Sequence, residues 1–186
     1  MIKICDCTDK FNYTFKHDII FEIEEELKNN KCCSEYPNCR HPSFQTTADF
    51  FDRGTQRCNY LRDVFFECVD GLYNPNDFEK VGYRGWAMKR LKGECNDGEW
   101  HNHKDITDRI KLRDEKDGNT ITLSSVFYVN ETTLGTEFED EHMYYKIKPK
   151  LFHWYIFSGM TAHRPENGWL KDDRYIIAAD IVLTKK

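Results

Sequence analysis

From residue 81 onward the chain is a train of short apolar runs cut by turn residues, and that rhythm limits the folds open to it. Residues 81–92, 120–130, 152–157 and 174–183 are rich in β-branched and aromatic residues, which suit a pleated surface. Shorter runs begin at Thr136 and Met143. Between the runs stand clusters of turn formers at 94–99, 117–119, 131–135, 158–160 and 167–173. Strands recurring every ~8–12 residues point to a sandwich or barrel rather than to alternating strand and helix.

The first part of the chain reads differently. Over residues 59–73, Leu61, Val64, Phe65, Cys68, Val69 and Leu72 recur at spacings of three and four, which predicts a helix with one broad apolar face. Thr46, Thr47 and Asp49 predict a helix start with a Thr cap before Phe50 and Phe51. Ile19, Phe21 and Ile23 alternate with polar residues and predict a strand running into an acidic tail. Cys5, Cys7, Cys32, Cys33 and Cys39 crowd this region, with His41 nearby. They lack the paired spacing of a zinc site, so unligated thiols are the favoured reading and zinc the alternative. The whole is expected to be a single domain, 1–186. It comprises a Cys-rich extension at 1–46, supporting helices at 47–80 and a β core at 81–186.

Chemistry concentrates at residues 99–105. His103 and Asp105 are two apart, so on a strand they share a face. Far downstream, His163 follows the turn at Gly159 and offers a third ligand. Two imidazoles and one carboxylate with open positions form a non-haem Fe(II) site. Eleven residues later Arg174 opens the last apolar run, and a fixed guanidinium there is suited to gripping a carboxylate. His101 shares the face of His103. A His101/His103 pair would lack the carboxylate at the matching spacing, so ligand type favours His103 over His101. The letters His-Asn-His do not make a nuclease signature, which is not three adjacent residues.

This arrangement of His103-x-Asp105, distal His163 and Arg174 resembles the 2-oxoglutarate and Fe(II)-dependent dioxygenases, most closely their prolyl-hydroxylase-like branch. Residues 86–94 resemble the strand and turn before the first two ligands. Residues 124–130 are similar to the family's IYYLN strand, 135–138 to its GGxxF segment, and 147–157 to the strand before the distal His. The resemblance covers roughly residues 60–183. It implies a mainly β double-stranded β-helix, or jelly roll, with flanking helices. It also implies a metal site of His103, Asp105 and His163, with Arg174 and Tyr128 on the distal carboxylate of 2-oxoglutarate. The activity implied is hydroxylation of an unactivated C–H bond, with a prolyl or other amino-acid side chain as first guess. Fe(II), 2-oxoglutarate and O2 would be consumed or held, succinate and CO2 released, and ascorbate is a candidate accessory reductant. Two details depart from the pattern. Leu91 stands where prolyl hydroxylases often carry Tyr, and Ile176, Ala178 and Ala179 offer no hydroxyl after the Arg.

Composition narrows the partners. A net charge of −5 disfavours sequence-independent binding to a phosphate backbone, so no nucleic-acid partner is expected. No run reaches the ~18 apolar residues of a membrane span. The start has no signal-peptide core. The expectation is a cytoplasmic protein with reduced cysteines acting on a small molecule or peptide. A non-catalytic or zinc-binding β-barrel module is the alternative.

Overall fold

A computed structural model describes residues 1–29, 45–103, 120–139 and 143–186. Among these residues eight strands and two helices follow in order. They are β1 (Lys3–Asp6), α1 (Tyr13–Asn29), α2 (Gln56–Leu72), β2 (Phe78–Arg90), β3 (Thr120–Tyr128), β4 (Thr136–Glu139), β5 (Tyr144–Ile147), β6 (His153–Ser158), β7 (Ala162–Pro165) and β8 (Arg174–Lys185). No helix among them is long and apolar enough to cross a membrane.

The strands form two antiparallel sheets, β1-β6-β3-β8-β2 and β5-β4-β7. Residue 101 bridges β7 on its free side, so residues 99–103 stand as a fourth row of the smaller sheet. From β2 onward the chain passes between the two sheets, giving the jelly roll that the sequence implied.

Both faces of the large sheet are covered. On β8 the odd positions Tyr175, Ile177, Ala179, Ile181 and Leu183 join the helix-side core. There α2 supplies Leu61, Val64, Phe65 and Val69, and α1 supplies Ile19, Ile23 and Leu27. Trp154 of β6 sits at the centre, with ring centroids 4.7 Å from Phe65 and 5.0 Å from Phe127. Each such buried side chain contributes about 1.5–3 kcal/mol relative to exposure. The even positions face the smaller sheet, where Val126, Tyr128, Phe138, Ile147, Tyr155, Phe157 and Ile176 make a second, smaller cluster.

Three expectations for the first part of the chain are corrected. Residues 19–23 are helical. The spacing that matters is Ile19, Ile23 and Leu27, all buried, whereas Phe21 is 65% exposed and its alternation was accidental. Thr46 caps no helix. Its hydroxyl accepts from Ala87 N–H at 2.9 Å and its own N–H donates to Ala87 C=O, adding a rung to β2. Only a 3-10 turn, Phe50–Asp52, follows. The capping residue is Thr55, whose Oγ1 accepts from Cys58 N–H and starts α2 three residues before the sequence expectation. Gly85 on β2 lets Phe51 lie flat on the sheet, since a Cβ there would come within 2.6 Å of the ring.

Cys32, Cys33, Cys39 and His41 lie outside the described residues, as do Asp105 and the charged loop expected at 108–118. Cys5, Cys7, Cys58, Cys68 and Cys95 carry free thiols.

Candidate metal centre and cosubstrate pocket

The row at residues 99–103 is held by backbone bonds to its neighbour. His101 and His163 exchange both N–H···O=C bonds, at 3.1 and 2.9 Å, and His103 N–H donates to Gly159 C=O at 2.7 Å. Side chains alternate along it. Trp100 points outward, where the Arg164 guanidinium lies 4.5 Å from its ring centre. His101 and His103 point inward, with rings 5.4 Å apart, and His163 meets them at 4.4 and 5.0 Å. One ring nitrogen from each of the three lies within 4.8 Å of the others. The structure thus brings His103, His163 and His101 together, while Asp105 lies outside the described residues.

The rings differ in environment. His163 is buried beside Phe138 and Phe157, and that burial, aided by the charge of His101, presses its pKa down to about 3. His101 keeps one edge in solvent, yet crowding on its other sides lowers its pKa as well. Neutral imidazole is the form that binds a metal.

Behind His103 stands Asp180, which the sequence reading did not pick out. It is wholly buried on the inner face of β8. Its Oδ1 lies 2.7 Å from His103 Nδ1, and its Oδ2 accepts from Arg84 Nε at 2.8 Å. Ser124 Oγ is 3.2 Å from the same ring nitrogen. Burial pushes the Asp180 carboxyl up, but the hydrogen bond from His103 and the charges of His103 and Arg84 prevail and hold it below the usual range. A lone acid inside the apolar run 175–183 was the available signal, because an Asp is almost never fully buried unless paired.

A second polar corner lies between the sheets. Arg174 is 2% exposed, and one NH2 group donates to Gly135 C=O at 3.3 Å. Its Nε is buried and finds no acceptor among the described residues. Such a donor costs about 1–3 kcal/mol if left unpaired, more when charged, so it fits a site built for an incoming anion. The Tyr128 ring lies 5.6 Å from the guanidinium carbon, and its hydroxyl bonds Thr136 Oγ1 at 2.7 Å. Burial keeps that phenol protonated, raising its pKa. Gly135 anchors the corner. Its N–H donates to Glu166 Oε2, its C=O accepts from Glu166 N–H and Arg174, and a Cβ would lie 1.9 Å from Ile147 O.

The two polar clusters are one strand step apart. Thr136 of β4 touches the Tyr128 corner, and Phe138, two residues on, lies beside His163. At about 3.4 Å per residue that is roughly 7 Å along the strand, the scale of a short dicarboxylate. Val126, Tyr155, Phe157 and Ile176 belong to the same apolar cluster as Tyr128 and Phe138.

Solved structures match this fold over nearly the whole chain. A prolyl-4-hydroxylase from Pseudomonas putida superposes with a TM-score of 0.62 at 10% identity, covering 97% of this chain and 91% of that one. A prolyl hydroxylase from Trichoplax adhaerens, in complex with a hypoxia inducible factor peptide fragment, gives 0.59 at 12%, covering 97% and 82%. HygX from Streptomyces hygroscopicus, with nickel, 2-oxoglutarate and hygromycin B bound, gives 0.60 at 9%, covering 98% and 82%. This chain shares their fold. At such identity the likeness is one of jelly-roll architecture. No family model and no curated protein matches the sequence.

Proposed function

We propose that the chain is an Fe(II)- and 2-oxoglutarate-dependent oxygenase that hydroxylates an unactivated C–H bond. The observation that carries this reading is the buried Arg174, whose Nε has no acceptor among the described residues, about two residues along β4 from a cluster of three imidazoles in the same interior. A cluster of imidazole nitrogens fits Fe(II). A buried cation with a spare donor fits the far carboxylate of a diacid. Bound Fe(II), with 2-oxoglutarate and O2, supplies the oxidising power, and succinate and CO2 leave as co-products.

The protein's own work is to hold and to exclude. Arg174 grips the distal carboxylate, and Tyr128, protonated, donates beside it. Val126, Tyr155, Phe157 and Ile176 keep water from the space between. His103 and His163 belong to every way of completing the metal set, with Asp105, as the sequence has it, or His101 as the third ligand. The substrate class is an amino-acid side chain, prolyl first, on a peptide or small molecule. Likeness of fold to proteins crystallised with a peptide and with hygromycin B supports both sizes.

Three imidazoles would also hold zinc. A zinc-bound, non-catalytic barrel is therefore the second reading, and it predicts metal binding without any response to 2-oxoglutarate. The test is anaerobic titration of Fe(II)-loaded protein with 2-oxoglutarate. A weak visible charge-transfer band is expected, together with slow succinate formation once O2 is admitted. Neither signal appearing would remove the oxygenase reading.

A further inference from the structure

Three cysteines converge where the edge strand β1 meets α2, on the helix side of the large sheet. Cys5 and Cys7 are two apart, so they point to the same face. Both pack into the helix-side core, and so does Cys68 of α2. Cys7 N–H donates to Phe152 C=O at 3.0 Å, which extends the sheet one rung past Asp6. Cys7 Sγ thereby lies 3.5 Å from Cys68 Sγ, a direct contact of two sulfurs. A pocket of 280 Å³ opens onto all three thiols, with Asp6, Lys10 and Glu67 also at its walls.

The same helix holds a contrasting cysteine. Cys58 is 1% exposed, and burial pushes its thiol up to about 11. A structural thiol of that kind is inert. Hydrogen bonds from Cys68 instead hold the Cys5 and Cys7 thiols below the usual cysteine value, against the opposing effect of burial. Cys68, as the shared donor, is pushed up. The thiolate is the nucleophile, and it must also be reachable. Cys5 is half-buried and meets both conditions, whereas Cys7 is buried.

We propose that Cys5, Cys7 and Cys68 form a thiol–disulfide exchange site that takes a low-molecular-weight disulfide and stores its oxidation as a Cys7–Cys68 bond. The Cys5 thiolate attacks one sulfur of the small disulfide, whose S–S bond breaks, and the first small thiol leaves with a proton. Cys68 gives its proton to solvent and attacks Cys5 Sγ, and the second small thiol leaves. Cys7 then attacks Cys68 Sγ, and Cys5 is restored as a thiol. Two protein thiols are oxidised and one small disulfide is reduced to two thiols. The new bond ties the edge strand to α2. The site lies across the large sheet from the imidazoles and stands apart from the oxygenase reading.

The test equilibrates the reduced full chain with graded ratios of reduced to oxidised glutathione, quenches with acid, alkylates the remaining thiols and maps linked peptides by mass. A Cys7–Cys68 link is expected, with the chain lighter by two hydrogen atoms and Cys58 alkylated only after unfolding. Excess reduced glutathione should reverse it. Cys5→Ser should form the same link about 10-fold more slowly, because the reachable thiolate is gone. Cys58→Ser should leave the rate and the position of the link unchanged. Thermal unfolding of the reduced variants shows which are folded, and the wild-type map decides if one is not. Cys7 and Cys68 remaining free at every ratio would overturn the site, as would a link from Cys68 to Cys32, Cys33 or Cys39. One zinc ion per chain masking these thiols until a chelator removes it would overturn it too. Glutathione retained on Cys5 at equilibrium, or an unchanged rate in Cys5→Ser, would overturn the entry step. No arm uses Fe(II) or 2-oxoglutarate, so failure of the oxygenase reading leaves this result standing.

Discussion

The two faces of β8 are equally buried but hold different chemistry. The odd positions, Tyr175 to Leu183, are packed against two helices and are apolar almost throughout. The even positions carry Arg174 at one end and Asp180 near the other, with only Ile176 and Ala178 between. The first face holds the fold together by burying apolar surface. The second gives up part of that stabilisation to keep two ionised groups out of water, which is sustainable only because the first is so well filled. Substitutions on the two faces should therefore fail in different ways.

Phe65→Ala opens a hole on the helix side beside Trp154 and should cost about 3–5 kcal/mol of stability, measured by urea unfolding. Any of the variant that remains folded should bind 2-oxoglutarate normally. A large loss of 2-oxoglutarate affinity with little loss of stability would erase the distinction between the faces. Arg174→Met should do the reverse. Removing a buried donor from a bound carboxylate should weaken 2-oxoglutarate by about 3 kcal/mol, on the order of 100-fold. The metal-free fold should hold or gain stability, since a buried cation is replaced by an apolar side chain. Gly85→Ala forces a methyl into the Phe51 ring and should cost about 1–3 kcal/mol, with metal and cosubstrate binding unchanged.

The smallest effect concerns the polar contact made on the helix side. Glu24 of α1 bonds Lys89 and Tyr175. Burial raises its pKa, but those two hydrogen bonds outweigh it and bring it below the ordinary Glu value. A depressed carboxylate pKa stabilises the fold at neutral pH, and that stability is lost as pH falls through the folded value. Partial exposure limits the effect to about 1 kcal/mol or less. The drop in unfolding midpoint between about pH 7 and about pH 3 should be slightly smaller in Glu24→Gln than in the wild type. An equal or larger drop would show that the contact contributes nothing.

The sequence was most readable where one physical demand acted alone. Strands β2 to β8 and helix α2 announced themselves through β-branched runs and three-four spacing, because packing alone set those residues. Arg174 could be singled out because a charge opening an apolar run stands out, whereas Tyr128 entered only through the family resemblance. The α1 helix was misread because Phe21 sits on its solvent side and mimics alternation. Asp180 was passed over because a strand covered on both faces shows no alternation, so one acid in it resembles a solvent-facing position. The pairing that sets His101 directly opposite His163 could not be read from the spacing of ligand types. Strand pairing is a long-range fact that no local spacing encodes.

Gly135 has a consequence for anyone who wishes to redesign this pocket. Its missing side chain is not spare room, because the first atom added would strike the Ile147 carbonyl, a piece of main chain that cannot rotate aside. The same residue presents the oxygen that steadies Arg174. Random libraries at position 135 should return only the parent residue, and attempts to alter the corner around Arg174 should begin instead at Thr136 and Tyr128, whose hydroxyls can be removed without moving the backbone.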